Sequence, residues 1–473
     1  MYDTPIPREA HRALESIGQA DIVVGIPSYN NVRTIGNVVQ AAQAGLTKYF
    51  PQFRAVIVNS DGGSSDGTRD AVLSANVDVS RVQIVSTPWS GVHRLSFPYH
   101  GKPGKGDAFR LVLHMARSLQ AKACAFIDAD LRSVTPEWID LLIRPVLHAG
   151  YDLVAPYYHR HKYDSIITNS IVYPLTRTLY GQRIRQPVGG DFGLSARLIQ
   201  RFVSRRDWGA DAARYGIDIW MTTIALAESF KTCQCFLGAG LRDANDPEID
   251  LSVLLQRVVG TVFSLMCEYE TRWASIQGSA PVDLYGLPYD VGLDPAGVNV
   301  ERMLDVFGAG CRNLGDVWSL ALEPATLKAL QILGGNGTRN RQAFHLSDEL
   351  WTQIIYDFSC ACGRHKLCRR HLLRSLTPLY LARVASFVIE TKEMFAAEVE
   401  DRIESLCCTF ESRKPYLRAL WRPGALPLRE EPVGHLMQWP PLIVGRHRWH
   451  YLSAGRQARR PSPPAMSITG NER

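Results

Sequence analysis

The sequence predicts an α/β fold, a mostly parallel sheet with helices on both faces, followed by a mainly helical C-terminal part. Over roughly the first 245 residues, short β-branched runs alternate with longer stretches whose apolar residues recur at helical spacing. Beyond about Asp250 only the helical pattern continues. A third observation concerns ligands: the turn at 27–30, Asp61, and the pair Asp128 and Asp130 each follow an apolar run. Ligands of such sheets gather beyond the carboxyl ends of the strands, so three separated segments are expected to converge on one rim.

Taken in order, 21–26 (DIVVGI) reads as a strand, followed by a turn at 27–31 and a helix with Ile35, Val38, Val39, Ala42 and Leu46 on one side. Residues 54–60 (RAVIVNS) form the next strand, DGGSSDGT a Gly-rich loop, and 69–74 open a helix. RVQIV at 81–85 is a third strand, and GKGDAFRLVLHMARSLQ a helix whose apolar positions include Phe109, Val112, Leu113 and Ala116. The strand ACAFI delivers the acidic pair, after which Thr135 as N-cap and Pro136 at the first helical position start another helix. YDLVAPYY reads as one more strand. Long helical patterns such as LSVLLQRVVGTVFSLMCEYETRWA then define a second unit. The expected division is 1–248, a mainly helical 249–425, and a Pro/Arg-rich extension at 426–473 whose end has the composition of a disordered tail.

A hydrophobic content of 46% with 21% charged residues excludes global disorder. The net charge of +7 would help attract an anionic small substrate but is too diffuse to argue for nucleic acid. No uninterrupted apolar run approaches the roughly 18 residues needed to span a bilayer, and the N-terminus lacks a signal peptide's apolar core, so a cytoplasmic protein is expected. The ten cysteines fit free thiols. Cys360, Cys362, His365 and Cys368 are close enough in sequence for a zinc site, but no paired C-x-x-C unit occurs and a Cys-rich helix flank is the plainer reading. The amphipathic helical half suits self-association and intrachain packing equally.

An Asp-x-Asp at a strand end can hold a divalent cation that bridges nucleotide phosphates, but the pair alone is a weak signal. Asp61 adds to it: it stands at the mouth of a loop with Gly62, Gly63 and Gly67, where its carboxylate could accept from a nucleobase, while Asp66 reads as a cap for the following helix. The loop is neither a P-loop nor a G-x-G-x-x-G turn, which argues against an oxidoreductase. Lys105, between Gly104 and Gly106 at a helix start, would set an ammonium beside exposed N–H groups, an environment suited to a diphosphate; a solvated turn lysine is the rival.

In this order the pieces resemble the nucleotide-sugar-dependent glycosyltransferases of the GT-A fold, and among them the retaining mannosylglycerate and glucosyl-3-phosphoglycerate synthases. The matching stretches are PSYN, SDGGSSDGT, PGKGD, Asp128-Ala129-Asp130, RQPVGGDFGLS and YGIDIW, six ordered matches over about 200 residues. The resemblance implies a transferase moving mannose or glucose from a nucleoside-diphosphate sugar to a small acidic acceptor such as glycerate. It implies that Pro27, Tyr29, Asn30 and Asp61 cradle the nucleoside, that Lys105 lies near phosphates and acceptor, and that Asp128 contacts sugar or ribose. Arg160 and Thr168 would hold the acceptor's carboxylate and hydroxyls, the planar fork of arginine suiting a carboxylate. Gly189, Gly190 and Asp191 would line the cleft, and Asp218 would stand near the reacting centre. The rivals are a solvated basic cluster for Arg160, a helix-surface position for Thr168 and a helix N-cap for Asp218.

The resemblance also implies Mg²⁺ or Mn²⁺, with Asp130 and Asp128 as ligands and a histidine after the Asp218 region. Here Arg242 stands where that histidine is expected, and arginine has no lone pair for a metal. Asp243 takes over through a small loop shift, or the metal is held weakly, or Arg242 itself neutralises the diphosphate and no metal is needed; the reading favours retained metal slightly. The competing functions are an inverting family-2-like transferase, which product anomer analysis separates, and a noncatalytic nucleotide-sugar binder, which acceptor-dependent turnover excludes.

Overall fold

The computed structural model describes residues 8–75, 82–88, 105–209, 216–243, 251–289, 298–337, 341–363 and 369–421. Its strands are β1 (Ile22–Ser28), β2 (Ala55–Asp61), β3 (Val82–Pro88), β4 (Ala123–Phe126), β5 (Leu153–His159), β6 (Phe192–Ser195), β7 (Thr232–Ala239) and β8 (Leu284–Tyr285). They form one sheet in the order β3-β2-β1-β4-β6-β5-β7-β8. Every neighbouring pair is parallel except the two made by β6, which runs antiparallel to β4 and to β5. The mostly parallel sheet expected from the alternating pattern is therefore present.

The strands read as unbroken apolar runs because both faces are covered. Helices Ile35–Tyr49 and Pro136–Ala149 close one face, packing Val38, Val39, Ile139 and Leu142 against β1 and β4. Helices Lys105–Ser118, Ala196–Ser204 and Ile217–Ala227 close the other, burying Phe109, Val112, Phe202 and Trp220. Phe109 stacks on Phe126 of β4 with ring centroids 4.0 Å apart, which seats the Lys105 helix directly on the central strand. Thr135 is the N-cap with Pro136 in the first turn, as expected, although its side chain makes no capping bond.

Strand β6 was not legible: DFGLS has no extended apolar run, and only pairing between β4 and β5 makes it a strand. Its Gly193 lies against helix Pro136–Ala149, where a Cβ would come within 2.0 Å of the Leu142 carbonyl oxygen. The antiparallel register sets Phe192 opposite Phe126, so Asp191 falls beside the residues that follow β4.

The helical part includes Leu251–Glu268, Val300–Asn313, Asp348–Gly363, Thr377–Thr391 and Ala396–Ser412. Leu251–Glu268 and Arg369–Thr391 are long and apolar enough to cross a membrane by length and composition, but 50% and 83% of their apolar windows are buried inside the protein, as in core helices. The helical core also takes in helix Tyr173–Tyr180, and the sheet takes β8 from beyond residue 248. Polar ties reinforce this shared packing. Arg177, fully buried, reaches Glu404 and Glu411, Arg185 pairs with Glu400, and Trp351 Nε1 donates to the Ser170 carbonyl at 2.7 Å. Cys360 and Cys362 are buried in helix Asp348–Gly363, while His365, Cys368 and the extension at 426–473 lie outside the described residues.

Candidate active site

Parallel pairing of β1 with β2 and β4 brings the loops after these strands to one edge of the sheet. The first loop is stitched to the second. Asn30 has φ 55°, a left-handed conformation that asparagine tolerates better than most residues. Its N–H donates to Ser64 Oγ at 2.8 Å, and its Oδ1 accepts from the Ser65 N–H at 3.0 Å. Tyr29 donates its N–H to Asn31 Oδ1 at 2.8 Å. Pro27 and Tyr29 are half-buried and Asn30 is exposed, so the turn expected to cradle a nucleoside is formed and accessible.

Asp61 differs from its expected part. It is fully buried, and its carboxylate accepts from Ser28 Oγ, Ser64 Oγ and the N–H groups of Gly63 and Ser64 at 2.6 to 3.0 Å. A carboxylate so satisfied organises the loop rather than presenting itself to a base. The N-cap of helix Thr68–Ser74 is Gly67 and not Asp66 as expected; the Asp66 carboxylate sits one residue earlier, accepting from the Thr68 N–H at 3.0 Å and from the Val32 N–H at 3.1 Å.

At the other side of the edge the predicted charged residues form one cluster. Lys105 Nζ lies 2.8 Å from Asp128 Oδ1 and 3.2 Å from Asp218 Oδ1. Burial opposes the charge on Lys105, but the two carboxylates outweigh it and hold its pKa above the ordinary lysine range. The same balance acts in reverse on Asp128, where burial is overcome by Lys105 and Arg242 and the pKa is held below the usual carboxylate range. Asp218 keeps a raised pKa, because burial and the nearby Asp128 charge outweigh the attraction of Lys105. Its rival part is ruled out: the cap of helix Ile217–Ala227 is Gly216, with no side-chain capping bond. The solvated-turn reading of Lys105 fails as well.

Asp191 accepts the Asp128 N–H at 2.8 Å through Oδ1 and the Tyr158 hydroxyl through Oδ2. Burial and the neighbouring Asp128 charge push its pKa up to about 7. Tyr158 is itself fixed by Gln186, which accepts its N–H at 3.1 Å and donates to its carbonyl at 2.7 Å. Neither Tyr158 nor Gln186 was expected at the site; the only sequence signal was a tyrosine near the end of an apolar strand. Gly189 and Gly190 are explained by close approach. A Cβ on Gly190 would meet Asp128 Oδ2 at 1.8 Å, and one on Gly189 would meet Pro156 Cγ at 2.2 Å.

Arg160 lies over the Tyr158 ring at 5.0 Å and donates through Nη1 to Ser165 Oγ at 3.0 Å. Its Nε is buried and has no hydrogen-bond partner among the described residues. Burial and the charge of Arg242 lower its pKa, so this is no solvated basic face. Thr168 opens a π-helical turn, Thr168–Val172, and is only 4% exposed, which corrects the helix-surface alternative.

The metal set does not assemble as expected. Arg242 Nη2 lies 2.7 Å from Asp128 Oδ2 and its Nη1 lies 2.7 Å from Asp130 Oδ1, so a guanidinium takes the oxygens a cation would use. Asp243 does not replace the histidine: its carboxylate stands 3.8 Å from Arg33 Nε, and its N–H donates to the Asp130 carbonyl at 2.9 Å. Among the described residues no group of three or more His, Cys, Asp or Glu could hold a metal ion. The donor set therefore does not fit a resident divalent cation.

Residues 74–263 match the family model described as the mannosylglycerate synthase GT domain. This is less than half of the chain, but it spans Lys105, Asp128, Asp130, Arg160, Asp191, Asp218 and Arg242. No curated protein matches the chain. Among solved structures, glucosyl-3-phosphoglycerate synthase from Mycobacterium tuberculosis with Mn²⁺, UDP and glucosyl-3-phosphoglycerate is 21% identical, covering 57% of this chain and 85% of that one, with a TM-score of 0.39. A second structure of the same enzyme is 22% identical, covering 57% and 88%, with a TM-score of 0.37. The segment 74–263 is thus similar to the mannosylglycerate synthase GT domain, in keeping with the GT-A-like mixed sheet that carries the cluster.

Proposed function

We propose that this protein is a GT-A-fold glycosyltransferase that moves a hexose, mannose or glucose, from a nucleoside-diphosphate sugar to a hydroxyl of a small hydroxy acid such as glycerate, with retention at the anomeric carbon. The observation that carries the reading is Lys105 held between Asp128 and Asp218 at the sheet edge, inside the segment matched by the mannosylglycerate synthase domain. The neighbouring Arg160, with a buried unpartnered Nε, supports an acidic acceptor, since a carboxylate would satisfy that donor.

In this reading the bond between the anomeric carbon and the β-phosphate oxygen breaks, and its electron pair leaves with the phosphate. The acceptor hydroxyl attacks from the face of departure, and its proton passes to the departing phosphate oxygen. Lys105 offsets charge gathering on the leaving group, a contribution that grows as the bond lengthens. Asp218, paired with Lys105 but raised in pKa, orients the acceptor hydroxyl or stabilises positive charge at the sugar. Double displacement would require a carboxylate close under the ring, roughly 5 Å from the acid partner. The ion pair to Lys105 makes Asp218 better suited to positioning.

Nucleotide sugars incubated with glycerate-like acids and read by mass test the reaction, and the product's anomeric configuration by NMR tests retention. Near-wild-type transfer by Asp218→Asn at saturating donor would remove that residue from the mechanism. Inversion would turn the assignment to the family-2-like alternative.

A further inference from the structure

Arg242 is placed by the backbone rather than by its side chain alone. Residues 241–243 run antiparallel beside 130–133, with Arg242 bridged to Leu131. The Arg132 N–H donates to the Leu241 carbonyl at 2.9 Å, the Asp243 N–H to the Asp130 carbonyl at 2.9 Å, and the Leu241 N–H to Ser133 Oγ at 3.1 Å. These bonds register the guanidinium over the Asp128-Ala129-Asp130 turn, where its fork spans one oxygen of each carboxylate at 2.7 Å. Thr34 Oγ1 ties the nucleoside-side loop to the same turn, donating to the Ala129 carbonyl at 2.6 Å.

A guanidinium keeps its charge at any working pH, and here the two aspartates hold it more firmly still. Among the described residues only two of its five N–H donors are engaged, by Asp128 and Asp130. Its side chain is 35% exposed, so it is not sealed within the protein. A divalent ion at this place would have to displace both hydrogen-bonded pairs and would bring two like charges together.

Resting on the transferase reading above, we infer that Arg242 is a built-in replacement for the divalent cation: it joins the Asp-x-Asp aspartates to the donor diphosphate, and the protein binds and uses its donor without metal. When the glycosidic bond breaks, the electron pair moves onto the β-phosphate oxygen, and Arg242 together with Lys105 meets the added charge while the acceptor proton settles on that phosphate. Asp128 and Asp130 orient the arginine rather than coordinate an ion.

The test is calorimetric titration of UDP, GDP and ADP into full-length protein, either treated with excess chelator or supplied with Mn²⁺, with transfer measured in parallel by mass. Wild-type affinity for the preferred nucleotide is expected to change by less than about twofold between the two conditions, whereas Arg242→His should lose about tenfold or more in chelator and regain it with Mn²⁺. Arg242→Lys, which keeps the charge but not the fork, should bind more weakly than wild type and remain indifferent to metal. Melting curves confirm that both variants are folded. Wild-type binding or transfer that appears only with Mn²⁺ or Mg²⁺ overturns the inference and leaves the transferase reading standing. Failure of every nucleotide in both conditions overturns that reading, and this inference with it.

Discussion

The backbone N–H of Asp128 donates to Asp191 Oδ1 at 2.8 Å, so the acidic turn after β4 is held by a carboxylate arriving from the antiparallel strand beside it. Through its other oxygen Asp191 accepts the Tyr158 hydroxyl, which joins three strand ends in one buried contact. Replacing Asp191 by Ala leaves a buried N–H and a buried hydroxyl without their acceptor. A stability loss of about 1 to 3 kcal/mol per orphaned group is expected, read from denaturant midpoints, together with loss of transfer. Unchanged transfer by a folded Asp191→Ala protein would show that this contact does not position Asp128.

Gly190→Ala addresses the same carboxylate from another side. The added methyl would sit 1.8 Å from Asp128 Oδ2 and 2.5 Å from Oδ1, so the carboxylate must shift away from Arg242, Lys105 or both. Misplacement of about 1 Å in such a cluster costs on the order of 10²-fold in turnover, so steady-state rates should fall by that much while the melting temperature moves little. A rate within threefold of wild type, about the scatter of such effects, would mean Asp128 tolerates displacement.

Acid stability should carry the mark of His114. It is buried on helix Lys105–Ser118, its Nδ1 lacks a partner among the described residues, and burial with the charges of Arg117 and Arg110 brings its pKa down to about 4. The unfolded chain, with an ordinary histidine near 6.5, binds the proton first as pH falls. Protonation therefore favours unfolding, and the stabilising share of the neutral ring is full above about 6.5 and lost on the way to about 4. His114→Leu should flatten the fall in unfolding free energy across that window relative to wild type. Parallel curves for the two proteins would discard the assignment.

The loop from Arg160 to Thr168, proposed to hold the acceptor, is tied to the helical part. Lys162 Nζ donates to the carbonyls of Thr391, Lys392 and Met394 at 2.8, 3.0 and 3.0 Å, closing the end of helix Thr377–Thr391 with a cation that favours its dipole. Lys162→Met is expected to cost about 1 to 2 kcal/mol of stability and to raise KM for the acid acceptor more than for the donor, because the loop from Arg160 to Thr168 loses its anchor. Equal effects on both KM values would place the anchor's influence elsewhere.

Much of this protein was written locally. Alternating apolar runs and helical periods determined a mostly parallel sheet, since strands covered on both faces have no polar side to alternate. The same reading placed the turn at Tyr29 and Asn30 and the pair Asp128 and Asp130 at one edge, because parallel strands deliver their following loops there; Lys105 was read from its helix start, and Asp191, Asp218 and Arg242 from the family resemblance alone. Tertiary structure decided the rest. Strand β6 exists only through pairing with β4 and β5, and four residues of DFGLS carry too little pattern to announce it. Asp61 turned inward because two serine hydroxyls and two N–H groups close around it, a set of distances no spacing encodes. Whether Asp128 and Asp130 face a metal or a guanidinium depended on a backbone bridge across more than a hundred residues. Electrostatic partnership is a property of positions in space, and the chain acquires it only on folding.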